Sequence, residues 1–203
     1  MNPNRCLMIF AGIIFTLIGF TPGFCDDTMV RAKIGIQIGS DEKLLFAKSR
    51  DRLRSGDMLR IFVLPEKAAF IYVIYSDKKD VALLKKAEPS SQKSTLVLPS
   101  INEYFEIDGN SETELFTIVC SPVEIYEIAD FLSSEKSYEK WVALENDLIE
   151  KSKLDLTQKS DTPFSIAGNV RRATKSDQSY LTKLQIFSGN LLVIKKYEFK
   201  IKK

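Results

Sequence analysis

The sequence contains no histidine. Ser-His-Asp and Cys-His catalysis are thereby excluded, as are imidazole metal sites and imidazole acid–base chemistry. An enzyme built on this chain would have to work with carboxylate pairs, lysine, tyrosine or oxygen-only metal sites, and none of these shows a recognisable signature. Cysteine is scarce too, with only Cys6, Cys25 and Cys120. Cys120 ends an apolar run (LFTIVC), where a thiol is expected to be a small buried hydrophobe; a nucleophile would need an electropositive neighbour. Neither sign of charge dominates: 29 Lys and Arg stand against 27 Asp and Glu. The strongly basic surface that nucleic acid requires is missing.

Long hydrophobic runs are missing as well, with one exception. Arg5 precedes an unbroken apolar stretch from Cys6 to Phe20, which Pro22 and Gly23 break before Asp26 and Asp27. A short positive region, an apolar core of about fifteen residues and a small-x-small end have the form of a secretory signal peptide. The expected cleavage lies between Cys25 and Asp26, with Gly23 and Cys25 as the small residues. An uncleaved membrane anchor is the alternative, though an anchor wants about twenty apolar residues. Phe24 before Cys25 disfavours a lipoprotein. Loss of residues 1–25 would leave 28 basic against 27 acidic side chains, since Arg5 is the only charge removed. Cys120 would then be alone, no intramolecular disulfide could form, and stability would rest on the core. Residues 26–203 are enough for a single domain, in the periplasm or outside the cell.

The body of the chain is patterned for strands. Val30, Ala32, Ile34, Ile36 and Ile38 alternate with polar residues and share one face. After the Gly39-Ser40-Asp41 turn a short strand is expected over Leu44 to Ala47. Arg54-Ser55-Gly56-Asp57 is a turn signal, Met58 to Leu64 a strand, and Ala69 to Tyr75 (AFIYVIY) has the composition of a central strand covered on both faces. Val81 to Leu84 should pair back across the SDKKD loop. Short strands are expected at Leu96 to Leu98 and Tyr104 to Ile107, and Leu115 to Cys120 is another buried one.

Part of this order of elements resembles a bacterial family, the domain of unknown function DUF4384. The resemblance lies in Ser55-Gly56-Asp57 leading into LRIFVLP, in AFIYVIYSD with its following leucine pair, in the Leu98-Pro99 region, and in EYFEID and ELFTIVCSP. It covers about residues 45–132. It implies an immunoglobulin-type antiparallel β-sandwich on an exported or surface-associated protein, and it carries no catalytic residues.

Beyond Cys120 the period changes. Ser121-Pro122 is expected to cap and open a short helix to about Phe131. Ser133 to Lys153 should form an amphipathic helix with Trp141, Leu144 and Leu148 on its apolar stripe. Strands return with Phe164 to Val170 and with Tyr180 to Phe187 and Leu191 to Ile201, the last two flanking a hairpin turn at Ser188-Gly189-Asn190. The expected fold is therefore mainly β: a sandwich with a helical pair, residues 123–153, before C-terminal strands over 164–201.

Candidate sites are few. Phe70, Tyr72, Tyr75, Tyr104 and Phe105 form an aromatic set that could line a surface or pocket; Phe70 and Tyr72 are expected in the core, whereas Tyr75 and Tyr104 should show their hydroxyls. Trp141 would dock its helix as core or serve as an interface anchor. Arg171 and Arg172 could meet an anion. These last five residues (Tyr75, Tyr104, Trp141, Arg171, Arg172) make up the expected interaction surface. Asp57, Asp77, Asp80, Asp108 and Glu112 are read as turn formers, without the spacing of a calcium loop. The basic tail (Lys195, Lys196, Lys200, Lys202, Lys203) reads as the solvated face and frayed end of a strand, or else as a contact for anionic lipid or cell-wall polymer. No catalytic, cofactor-binding or metal-ligating residue is assigned. The functional expectation is a non-catalytic exported module that binds another protein or an envelope component. A carboxylate-dependent glycan-processing enzyme and a small-molecule sensor are the alternatives.

Overall fold

The computed structural model describes residues 29–39, 45–90, 95–134, 137–153 and 182–202. The leader with Cys25 and Asp26, the strand expected at Phe164 to Val170, and Arg171 and Arg172 lie outside them.

Two sheets face each other. The first holds β1 (Met29–Ile38), β2 (Leu45–Phe46), β4 (Met58–Pro65), β7 (Leu96–Leu98), β8 (Phe105–Glu106) and β10 (Gln185–Asn190). Its strand order is β10-β1-β4-β7, with β2 paired to β1 and β8 to β4. The second runs β3 (Arg52–Arg54), β11 (Val193–Lys202), β9 (Thr113–Ser121), β5 (Phe70–Ser76), β6 (Val81–Ala87). Every pairing is antiparallel except β3 with β11. The described residues form a β-sandwich with two helices, α1 (Tyr126–Ser133) and α2 (Tyr138–Ser152), before β10 and β11.

Period-two alternation builds the inter-sheet core. Ala32, Ile34 and Ile36 from β1 and Leu59, Ile61 and Val63 from β4 meet Ile71 and Val73 from β5 and Phe116, Ile118 and Cys120 from β9. Tyr197 and Phe199 of β11 close it, with ring centroids 6.1 Å apart. The alternate residues of the second sheet build another cluster: Tyr72, Ile74 and Val119 pack under Ile128, Phe131, Trp141 and Leu148 of the helices. Strands β5 and β9 are therefore apolar on both faces for a physical reason, since one face meets a sheet and the other a helical layer. On the first sheet, Gly35 permits a close approach on the outward side. A Cβ there would lie 2.7 Å from Leu184 and 2.9 Å from Phe46.

Three details depart from the expectations. Ser121 does not cap α1. It is the last residue of β9, and the helix begins four residues past Pro122 with Ile125 as its uncapped N-cap. Residues 188–190 are not a hairpin turn but the end of β10. The chain turns at Leu191, with φ +59°, and crosses to the other sheet, so β10 pairs with β1 and β11 with β9. Gly189 fits that crossover, because a Cβ there would sit 2.1 Å from the Leu192 carbonyl oxygen and 3.0 Å from that of Ser152. Lys195, Lys196, Lys200 and Lys202 do not lie on a frayed end, since β11 lies between β3 and β9 inside its sheet, and Lys203 lies outside the described residues.

Candidate functional site

Two polar constellations flank β9, one on each face. On the outward face, Thr117 points at the helical layer. Its hydroxyl donates to the Glu145 carboxylate at 2.5 Å, and the Lys196 ammonium of β11 meets the other carboxylate oxygen at 2.5 Å. Glu145 is 1% exposed. A buried carboxylate tolerates that position only with a cation and a hydroxyl to replace water. Glu145 sits between Trp141 and Leu148 on the inward stripe of α2, so the pair fixes the helix against the strands.

The inward face carries a different arrangement. Glu114, near the start of β9, is 6% exposed and shares its face with Phe116 and Ile118, at the rim of the inter-sheet core. Directly across on β11 stands Phe199. The Tyr75 hydroxyl, from the end of β5, donates to the Glu114 carboxylate. Asp77 lies in the following turn, its carboxylate accepting from the Lys79 and Asp80 amides at 2.9 and 2.7 Å and from the Ser111 hydroxyl at 3.1 Å. Asp108 accepts from the Asn110 amide at 2.8 Å, and its carbonyl receives the Ser55 hydroxyl at 3.1 Å.

Electrostatics follow from this geometry. Burial pushes the Glu114 carboxyl above the ordinary glutamate range, and the nearby charges of Asp108 and Asp77 push the same way, against the Tyr75 hydrogen bond. Tyr75 is raised as well, by burial first and then by Glu114 and Asp77. Asp77 goes the other way: its two backbone amides and the Ser111 hydroxyl outweigh its desolvation. Two carboxyls at one rim are thus shifted in opposite directions. Among the described residues no group of three or more acids, cysteines or histidines is arranged to hold a metal ion.

The aromatic set does not converge. Tyr72 is buried under the helices, where its hydroxyl accepts the Ile125 amide at 3.0 Å. Tyr75 packs on the opposite face, 5.5 Å from the Phe116 ring. Tyr104 belongs to the first sheet's side, with the Arg60 guanidinium 3.9 Å over its ring. Trp141 is no surface anchor: it is 2% exposed and packs against Phe131 at 5.5 Å, because its position on α2 faces the sheet. Tyr75, expected to show its hydroxyl, spends it on Glu114. Asp57, Asp77 and Asp108 each bond local backbone amides, as turn formers do. Cys120 is fully buried, and desolvation pushes its thiol up to about 12.

The tail lysines are divided. Lys196 holds Glu145, while Lys195 lies 4.8 Å over the Phe187 ring and 5.3 Å over that of Tyr197, and burial lowers its pKa.

Some large apolar side chains also stay exposed. Val123 and Tyr126 are 66% and 67% exposed. They flank a segment pinned by the Tyr72–Ile125 hydrogen bond, by the ion pair between Lys86 and Glu124, and by the Ser121 hydroxyl on the Val123 amide at 3.3 Å. Among the described residues no helix is long and apolar enough to cross a membrane. Comparison with protein-family models, with curated proteins and with solved structures finds no match to this chain.

Proposed function

We propose that this protein is an exported, non-catalytic β-sandwich module that binds another protein or an envelope component. The observation that carries this reading is the Val123–Tyr126 segment. It presents an aliphatic and an aromatic side chain to solvent on a backbone held by three side-chain contacts. A rigid aromatic anchor loses little freedom on association, and tyrosine is enriched where interfaces concentrate their binding energy. The N-terminal pattern of residues 1–25, the absence of histidine and the resemblance to exported DUF4384 modules support the same reading.

Site-specific photocrosslinking in an export-competent bacterial host tests it. A probe at position 126 or 123 gives one discrete adduct, and a probe at exposed Lys79 gives none. Equal labelling from all three positions, or from none, overturns the reading. Sequencing of the exported chain, expected to begin at Asp26, tests its location.

The acidic rim favours a second reading, a carboxylate-dependent glycan-processing enzyme. Such an enzyme needs one carboxyl kept protonated and another ionised, and Glu114 and Asp77 are shifted in those opposite directions. Turnover of glycan substrates that disappears in Glu114→Gln would establish it in place of the first.

A further inference from the structure

Two separate connections place acids near Glu114. Asp77 comes from the β5–β6 turn and Asp108 from the β8–β9 loop, and the Ser111 hydroxyl on Asp77 is the bond that ties one to the other. From β5 the group that faces Glu114 is the Tyr75 hydroxyl; from β11 it is the apolar ring of Phe199. Cations at this end are turned elsewhere. Lys78 binds Glu198 at 2.9 Å, and Lys200 stands across from Thr113, hence on the outward face. Arg52 and Arg54 are exposed on either side of the inward Leu53. Asp57 is bound back on the Arg54 amide, and Glu112 is exposed. Lys79 of the same turn is exposed, and among the described residues no cation shifts the Glu114 carboxyl, so an ionised Glu114 adds a third negative charge to this junction while a protonated one removes it.

We infer that this rim is an acid-closed latch: the β5–β6 turn and the β8–β9 loop stay packed together over the end of the core while Glu114 is protonated, and separate when it ionises. The raised proton affinity of Glu114 supports this. The direction follows from the same fact. A proton held more tightly in the closed form stabilises that form at low pH, and the stabilisation fades as the pH climbs through the raised value. The latch does not depend on the partner-binding reading.

The experiment combines a carboxyl carbon NMR titration of Glu114 with amide hydrogen exchange at residues 77–80 and 108–112, on the full chain between about pH 4 and pH 8. After correction for intrinsic exchange rates, protection of both segments falls several-fold as Glu114 ionises. Glu114→Gln stays protected throughout. Tyr75→Phe, which removes the hydrogen bond favouring the charged form, moves the midpoint up; Asp77→Asn, which removes a like charge, moves it down. Protection that is flat through the Glu114 titration overturns the latch, as does a Glu114→Gln chain that keeps the parent's pH profile. Should Glu114→Gln not fold, the two opposite midpoint shifts decide, and their absence is equally fatal.

Discussion

Glu114 and Glu145 are the two buried carboxylates of this protein's described residues, the first projecting from β9 on its inward face and the second packed from α2 against its outward face. One has a lysine and a threonine hydroxyl within 2.5 Å; the other has a phenol and two neighbouring aspartates. Burial costs a charge the same solvation on either side of a sheet, so the difference lies in what replaces the water. Glu145 is neutralised by a partner and acts as a fixed structural pin. Glu114 has no such partner, and burial raises its proton affinity instead. The same side chain, three positions along the same strand from its counterpart's hydroxyl donor, becomes a constant in one place and a variable in the other.

The sharpest way to break this contrast is Lys196→Met. It strands the Glu145 carboxylate beneath α2 and should cost about 3–5 kcal/mol, read from the midpoint of urea unfolding. Adding Glu145→Leu to the same chain should recover most of that loss, because an apolar pair of similar volume tolerates the site. Next comes Tyr72→Phe, which leaves the buried Ile125 amide without an acceptor and should cost about 1–3 kcal/mol in the same assay.

Glu114→Gln acts with the opposite sign. It should stabilise the fold at neutral pH by on the order of 1 kcal/mol. Its parent holds a proton more tightly when folded, so the parent gains relative stability on acidification and the two chains converge as the pH falls through the raised carboxyl range. Thermal unfolding at several pH values checks both the sign and the convergence. Smallest of all, the double change Val123→Ser, Tyr126→Ser should move stability by no more than about 0.5 kcal/mol while abolishing co-purification of the crosslinked partner, since exposed side chains contribute little to folding.

The strands with strong local signals were legible. The alternation of Val30 to Ile38 and the apolar runs of β5 and β9 report burial that any residue on those faces must satisfy. The crossover at Leu191 was not, because Ser-Gly-Asn has good turn chemistry and nothing local says that β10 and β11 belong to different sheets. Strand β3 is three residues long and pairs in parallel with a strand far away in sequence, which leaves no periodic trace. Glu145 and Glu114 had a signal that charge obscured. Position 145 is four residues after Trp141 and three before Leu148, on the same stripe. Position 114 alternates with Phe116 and Ile118. A carboxylate in a register position that apolar neighbours fill is a cue in its own right, and the periodicity pointed to both. The exposed pair Val123 and Tyr126 followed from neither pattern, since it depends on the four-residue delay before α1 begins.

The placement of β11 between β3 and β9 has a consequence for how the molecule is made. The second sheet lacks an interior member until residues 193–202 have been synthesised, so β9 waits with one edge unpaired and β3 without its partner. Closing contacts over such distances in sequence is slow. Under the export proposed above, that delay suits passage through a translocation channel, because the second sheet is not complete until β11 joins it.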